Sequence, residues 1–291
     1  MRKILFLFTL VFPVTYMAAQ EDLLSALGEE DKITEYARAS FKTTRVINSH
    51  SLETTAKGVL NFKISHRFGF VDQGVYDIFG LDNATIKLAL EYGLTDWLDI
   101  GVGRSSVEKM YDGYIKCKFL RQSKGKRKMP ISALYVGTID INTLKWQIPE
   151  RKNYFTSRLF YAHQLIIGRK FSDGFSLQIM PTLVHRNFVN TKAEKNDVFS
   201  MGIGARQKIS KRMAINAEYF YVLPNQLLDT NHHSLSVGLD LETGGHVFQL
   251  HFTNSTSMAE KGFIAETTGD WTKGQVHVGF NLSRVFSLRK H

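Results

Sequence analysis

Three groups of side chains in this sequence have types and spacings that could do chemistry. The tripeptide His232-His233-Ser234 contains a His-x-Ser spacing. A histidine poised beside a serine can take its hydroxyl proton and make it a nucleophile, the arrangement of an outer-membrane lipid hydrolase. Of the ten histidines, His251 and His277 fall on the same inferred face of neighbouring segments, where they could share a transition metal. Such a site wants further His or carboxylate ligands and hydrogen bonds that orient them. No His-x-x-x-His or Cys-x-x-Cys spacing supplies these. The third group is a set of charges: Lys63, Arg67, Lys87, Glu91, Asp99, Lys116, Lys118, Arg206, Glu218 and Asp240. Brought into one space, they form either a charged constriction that selects small anions or a web of ion pairs that fills it.

What must position these residues is a run of strands. From Gly58 onward the dominant hydrophobic period is two. Leu60, Phe62, Ile64 and Phe68 alternate with Asn61, Lys63, Ser65 and Arg67. The same pattern recurs at Ile86–Tyr92, Leu98–Val102, Phe175–Leu183, Phe199–Ile203, Leu235–Leu241, Phe248–Phe252 and Val276–Leu282. Successive side chains of a strand point to opposite faces, so each segment has one apolar face and one polar or small face. The glycine pairs 101/103 and 202/204 take inward positions, where small residues let strands coil and leave room. On this register Leu235, Val237, Leu239 and Leu241 set the apolar face and Ser234 points the other way, away from lipid. The bland reading of His232 and Ser234, a surface loop entering a strand, is therefore preferred, and no catalytic or metal-binding residue is assigned.

A soluble β-sandwich would show the same alternation, so the connections arbitrate. Tight links fall at 93–96, 171–174, 210–212 and 243–245, with a longer basic one at 123–129. Long links cover 70–83, 142–156, 188–197, 223–232 and 255–273. About 12 strands of roughly ten residues, with turns short at one end and loops long at the other, describe an all-β, closed antiparallel transmembrane β-barrel. Its short turns would be periplasmic and its long loops outer. Tyr92, Tyr111, Tyr161, Phe175, Tyr219, Tyr221 and Phe286, near strand ends, fit interfacial girdles. The basic run Ser123–Lys128 reads as a solvated turn, or as a contact for anionic head groups.

The first residues bear on compartment. Arg2 and Lys3 precede an apolar stretch from Ile4 to Val14, and Ala18-Ala19 offers a cleavage site. This three-part pattern is that of a secretory signal peptide spanning residues 1–19. One cysteine, Cys117, allows no internal disulfide, so stability must come from packing and strand pairing. Removing Arg2 and Lys3 lowers the formal charge from +10 to +8. In an exported chain without a nucleic-acid motif, that excess does not indicate nucleic-acid binding. Residues 20–57 differ from the rest: Asp22 to Leu27 reads as a short helix and Phe41 to His50 as an extended piece. Their charge density suits either a periplasmic extension or a lumen insert, ahead of a barrel domain at 58–287.

Several phrases resemble a known group: His66-Arg67-Phe68-Gly69, Phe79-Gly80-Leu81-Asp82, Glu91-Tyr92-Gly93-Leu94-Thr95-Asp96, Gly101-Val102-Gly103-Arg104-Ser105, His246-Val247-Phe248-Gln249-Leu250 and Gly269-Asp270-Trp271. From about Thr44 to Phe286 the chain resembles a Bacteroidota family of outer-membrane β-barrels that is a domain of unknown function. The resemblance implies a barrel in the outer membrane and carries no catalytic or ligand residues. The expectation is a non-enzymatic barrel without cofactor, acting as a small pore with weak anion preference or as a scaffold for a periplasmic protein partner. Its surroundings are outer-membrane lipid, and small anionic solutes are candidate cargo. An outer-membrane lipid-modifying enzyme is the rival.

Overall fold

The computed structural model describes residues 33–288. The signal peptide at 1–19 and the short helix at Asp22 to Leu27 lie outside the described residues. Twelve strands close into one antiparallel barrel. In chain order they are β2 (Val59–Phe70), β3 (Ala84–Gly93), β4 (Leu98–Ser105), β5 (Tyr111–Leu120), β7 (Ser132–Ile141), β8 (Leu159–Lys170), β9 (Phe175–Arg186), β10 (Asp197–Lys208), β11 (Met213–Val222), β12 (Ser234–Thr243), β13 (His246–Thr253) and β14 (His277–Ser287). Each pairs with its sequence neighbour, and β14 pairs with β2 to close the ring, from His277 opposite Phe70 to Ser287 opposite Val59. Two further strands of two residues, β1 (Glu35–Tyr36) and β6 (Ser123–Lys124), pair outside the barrel.

Closure follows from the solvent. Within hydrocarbon no water can satisfy a strand edge, and a ring of antiparallel strands has none. The apolar positions of the alternation face outward: Leu88, Leu90, Ile100, Val102, Ile179, Ile203 and Leu250 are all exposed on the outer wall. Their polar neighbours Lys87, Glu91, Asp99, Gln178, Gln249 and Asp240 are buried within. With twelve strands, β2 begins and β14 ends at the same rim, the one that carries the short turns. The long loops sit at the other rim.

The basic turn is not simply solvated. Its Ser123 and Lys124 pair with Tyr36 and Glu35, so the chain ahead of the barrel is tethered to the short-turn rim.

The lumen also departs from a uniformly polar face. Leu134, Val136, Ala162, Ile166, Met180, Val184, Val198, Phe220 and Val222 point inward from β7 to β11 and form an apolar half-wall. The polar side chains gather on β12–β14 and β2–β5 opposite.

The filled lumen as candidate functional site

The space between these walls is occupied from both ends. From the short-turn rim, residues 40–52 enter as a hairpin that is almost wholly buried. Val46 N–H donates to Ser49 O at 2.8 Å, Ser51 N–H donates to Thr44 O at 3.0 Å, and Arg45 lies opposite His50. From the long-loop rim, the β13–β14 loop folds inward and carries the short helix α1 (Glu260–Ala265), every residue of which is buried.

The hairpin is divided as the wall is. Phe41, Val46 and Leu52 pack with the apolar half, where Phe220 also meets Phe263 of α1 edge-on at 5.2 Å between ring centroids. Backbone groups of the hairpin turn to polar side chains of the wall, which stand on the apolar-half strands as well as opposite. Glu218 of β11 accepts from the backbone N–H groups of Ile47, Asn48 and Ser49 at 3.3, 2.7 and 3.0 Å, and from the Ser49 hydroxyl at 2.6 Å. Gln249 and Asn281 donate to the carbonyls of Val46 and Ile47 at 2.9 and 3.0 Å. Gln178 both donates to His50 O and accepts from Leu52 N–H. Buried backbone groups must find partners somewhere, and an irregular segment inside a barrel finds them on the wall.

The charges singled out in the sequence line this contact. Lys63 pairs with Glu91 at 2.7 Å, and both also bond the Thr44 hydroxyl. Lys116 is fully buried and donates to Glu53 O and Thr44 O, while Asp99 accepts from Thr55 N–H at 2.8 Å. Lys87 pairs with Asp112 at 2.9 Å, and Asp240 accepts from Gln249 at 2.7 Å. Arg206 reaches toward the carbonyls of Ala39 and Ser40. Arg67 holds Asn48, and Lys118 is half-buried nearer the short-turn rim. Lys63, Arg67, Glu91, Asp99, Lys116, Arg206 and Glu218 thus bond residues 39–55, whereas Lys87 and Asp240 bond other groups.

Sequence reasoning missed Asp112, Asp140 and Arg186 on the wall, and Arg45, Glu260 and Lys261 within the filling. Arg45 and Glu260 pair at 2.8 Å where hairpin and helix meet, and Lys261 binds Glu108 and Glu266 at 2.8 and 3.0 Å. Adding two acids and one base to the wall reduces its inward basic excess from two groups to one. Period-two signals for Asp112 and Asp140 were present but diluted, since β5 and β7 carry apolar residues on both faces.

The histidine constellations stay apart. Ser234 is buried with its hydroxyl unpaired, and no hydrogen bond joins it to His232. His277 bonds Thr256 and Phe68 O, whereas both ring nitrogens of His251 lack a partner. Among the described residues no three His, Cys, Asp or Glu side chains group as metal ligands. The inward glycines prove to be filled rather than open. A Cβ on Gly101 would lie 2.2 Å from the Tyr114 ring, and one on Gly202 would lie 2.5 Å from Phe220.

The family model of a membrane bound beta barrel domain, DUF5777, matches residues 41–286. The chain belongs to that family. The match begins at the hairpin, so this family's domain includes the filling as well as the wall. No curated protein matches the sequence. Among solved structures, the NanC porin is similar with a TM-score of 0.46 and 6% identity, covering 78% of this chain and 98% of that one. The KdgM porin gives 0.44 at 8% identity over 80% and 99%. An outer membrane channel from Pseudomonas putida F1 gives 0.44 at 11% identity over 81% and 98%.

Proposed function

We propose that this protein is an outer-membrane pore that rests closed, with its own N-terminal hairpin as the removable plug. In this reading the chain is exported by its signal peptide, the short-turn rim faces the periplasm and the long loops face outward. The observation that carries it is the way the hairpin is held. It is joined covalently to the barrel at Val59, and otherwise by non-covalent contacts, namely side-chain hydrogen bonds, ion pairs and the packing of Phe41, Val46 and Leu52, with α1 and with a wall that is closed without it. Withdrawal of the hairpin toward the periplasm, with the loop that carries α1 swung outward, would leave the twelve-strand ring complete and open a bore whose polar half is ready for water and solutes. Small anions are the proposed cargo, favoured weakly by the remaining basic excess.

The filled bore also supports a second reading, a rigid scaffold. Residues 33–38, tethered at the short-turn rim by the β1–β6 pair, are then the surface offered to a periplasmic protein. Conductance in planar bilayers separates the two. The full chain should be silent or open rarely, and a chain lacking both residues 39–54 and residues 257–268 should conduct in discrete steps while keeping the gel-mobility shift on heating that marks a folded barrel. A folded, hairpin-free barrel that does not conduct leaves only the scaffold.

A further inference from the structure

On the polar side of the bore the filling is incomplete. A cavity of about 30 Å³ remains between hairpin and wall, lined by Arg45, Asn48, Lys63, Arg67, Lys87 and Glu91 among others. Three of its four cations have a carboxylate of their own: Lys63 has Glu91, Lys87 has Asp112 and Arg45 has Glu260. Arg67 has none. Its guanidinium is 1% exposed and donates only to neutral acceptors, the carbonyl of His66 and the side-chain oxygens of Asn281 and Asn48. Its Nε–H is buried without any partner. Glu218 attracts it through space, but the oxygens of that carboxylate bond the backbone and hydroxyl donors of the hairpin and make no ion pair with the guanidinium. A buried charge lacking a counter-charge is strongly destabilising, and in a cavity beside it the missing negative charge can be a bound ion.

We infer that this cavity binds a single halide ion, chloride in the native setting, with Arg67 as its principal partner. Charge selects the class. One cation lacks a carboxylate in contact, which a monovalent halide matches and a divalent phosphate or sulfate would exceed, and the space is small enough that the occupant is a single ion or a few waters. The protons of Lys63 and Lys87 not used on their carboxylates are further donors lining it. Water alone would fill the space but leave Arg67 without a negative charge in contact, Glu218 acting on it only from a distance. The site belongs to the closed state and stands whether or not the hairpin ever leaves the bore.

Bromide is the probe. Crystals of the full-length mature protein grown in sodium bromide should give an anomalous peak inside this cavity, against Arg67. In detergent, the melting temperature should rise saturably as bromide replaces gluconate at constant ionic strength. Arg67→Met should lose that dependence. Ala89→Leu fills the cavity from its own lining while keeping Arg67, so it tests the site even if Arg67→Met fails to fold; it too should melt independently of bromide. A cavity without anomalous signal, a wild-type melting temperature indifferent to bromide, or an undiminished bromide effect in Ala89→Leu overturns the inference.

Discussion

Replacing Glu218 with Ala should loosen the hairpin without breaking the barrel. Glu218 sits on β11 with its backbone paired on both sides, to Gly204 and Ser236, so the wall does not depend on its carboxylate. The hairpin does. Three backbone N–H groups and one hydroxyl converge on those two oxygens. Hydrogen bonds to a charged group contribute about 1.5–3 kcal/mol each, and bonds sharing one acceptor do not add in full. A loss of about 3–6 kcal/mol in docking follows, equivalent to about 10²–10⁴ in the population of the undocked hairpin. Hydrogen exchange in nanodiscs reads this, provided the amides chosen keep their acceptors in the variant. Ser51, bonded to Thr44 O, and Leu52, bonded to Gln178, meet that condition. Both should exchange faster by about the same factor, while barrel amides and those of Ser176→Ala, which removes an unpaired hydroxyl from the same lumen, should not change. Unchanged exchange at Ser51 and Leu52 in a folded Glu218→Ala barrel would refute the claim that wall polar groups hold the plug.

Three further outcomes are expected. Leu239→Arg places a charge at mid-strand on the lipid face of β12 and should cost about 2–4 kcal/mol in a urea refolding titration into bilayers. Gly202→Val must displace the Phe220 ring, and with it the contact to Phe263; overpacking of this kind costs about 1–3 kcal/mol and should show as a lower melting temperature. Alkaline pH should release α1. Burial alone would depress Lys261, but Glu266 and Glu108 outweigh it and hold its ammonium above the ordinary lysine value. A raised folded-state value means the stabilisation is complete below the unfolded lysine range and lost as pH climbs through the higher folded one. Protease sensitivity of the 254–276 loop should accordingly increase above roughly pH 10.5, and Lys261→Met should remove that dependence.

The barrel was legible wherever the inner face is polar. Strands β2, β3, β4, β12, β13 and β14 present Lys, Glu, Asp, Gln or Asn inward, so their two-residue period is strong and their facing residues could be named. It was weaker on β7 and β8, where Leu134, Val136, Ala162 and Ile166 point inward to meet the filling. A strand apolar on both faces has no alternation to detect. The inward direction of Lys63, Lys116 and Glu218 could be read from parity, but not what they bind. Lys63 meets the Thr44 hydroxyl and Glu91, while Lys116 and Glu218 meet mainly backbone atoms of residues 44–53, and nothing in residue type records which carbonyl or N–H a distant side chain will meet. For the same reason residues 20–57 could be read equally as extension or insert. Phe41, Val46 and Leu52 offered three apolar anchors in a polar stretch, too sparse for a period and intelligible only once an apolar half-wall exists to receive them.

The two-sided grip bears on how such a pore would open. Undocking exposes Phe41, Val46 and Leu52 together with the wall residues that cover them. Burial of each large apolar side chain is worth about 1.5–3 kcal/mol, which gives about 5–9 kcal/mol for the three. Loss of the Glu218 contacts adds to that, while freed backbone entropy and renewed hydration subtract from it. The entropy freed by about a dozen residues is of the same order as the burial or larger, so burial alone does not set the undocked fraction. A ligand that bound the undocked hairpin better than the docked one would shift the balance toward opening. The β1–β6 pair lies where such a ligand would act. Its two-residue ladder is reinforced by Arg121 over the Tyr36 ring at 4.5 Å and by Ala37 N–H donating to Gln122 O at 2.9 Å, and the chain runs from there through residues 37–39 directly into the buried hairpin. A partner that took the place of Ser123 and Lys124 on that strand would hold a handle on the plug. In this way the pore and scaffold readings would converge, with the segment that docks a partner being the one that draws out the plug.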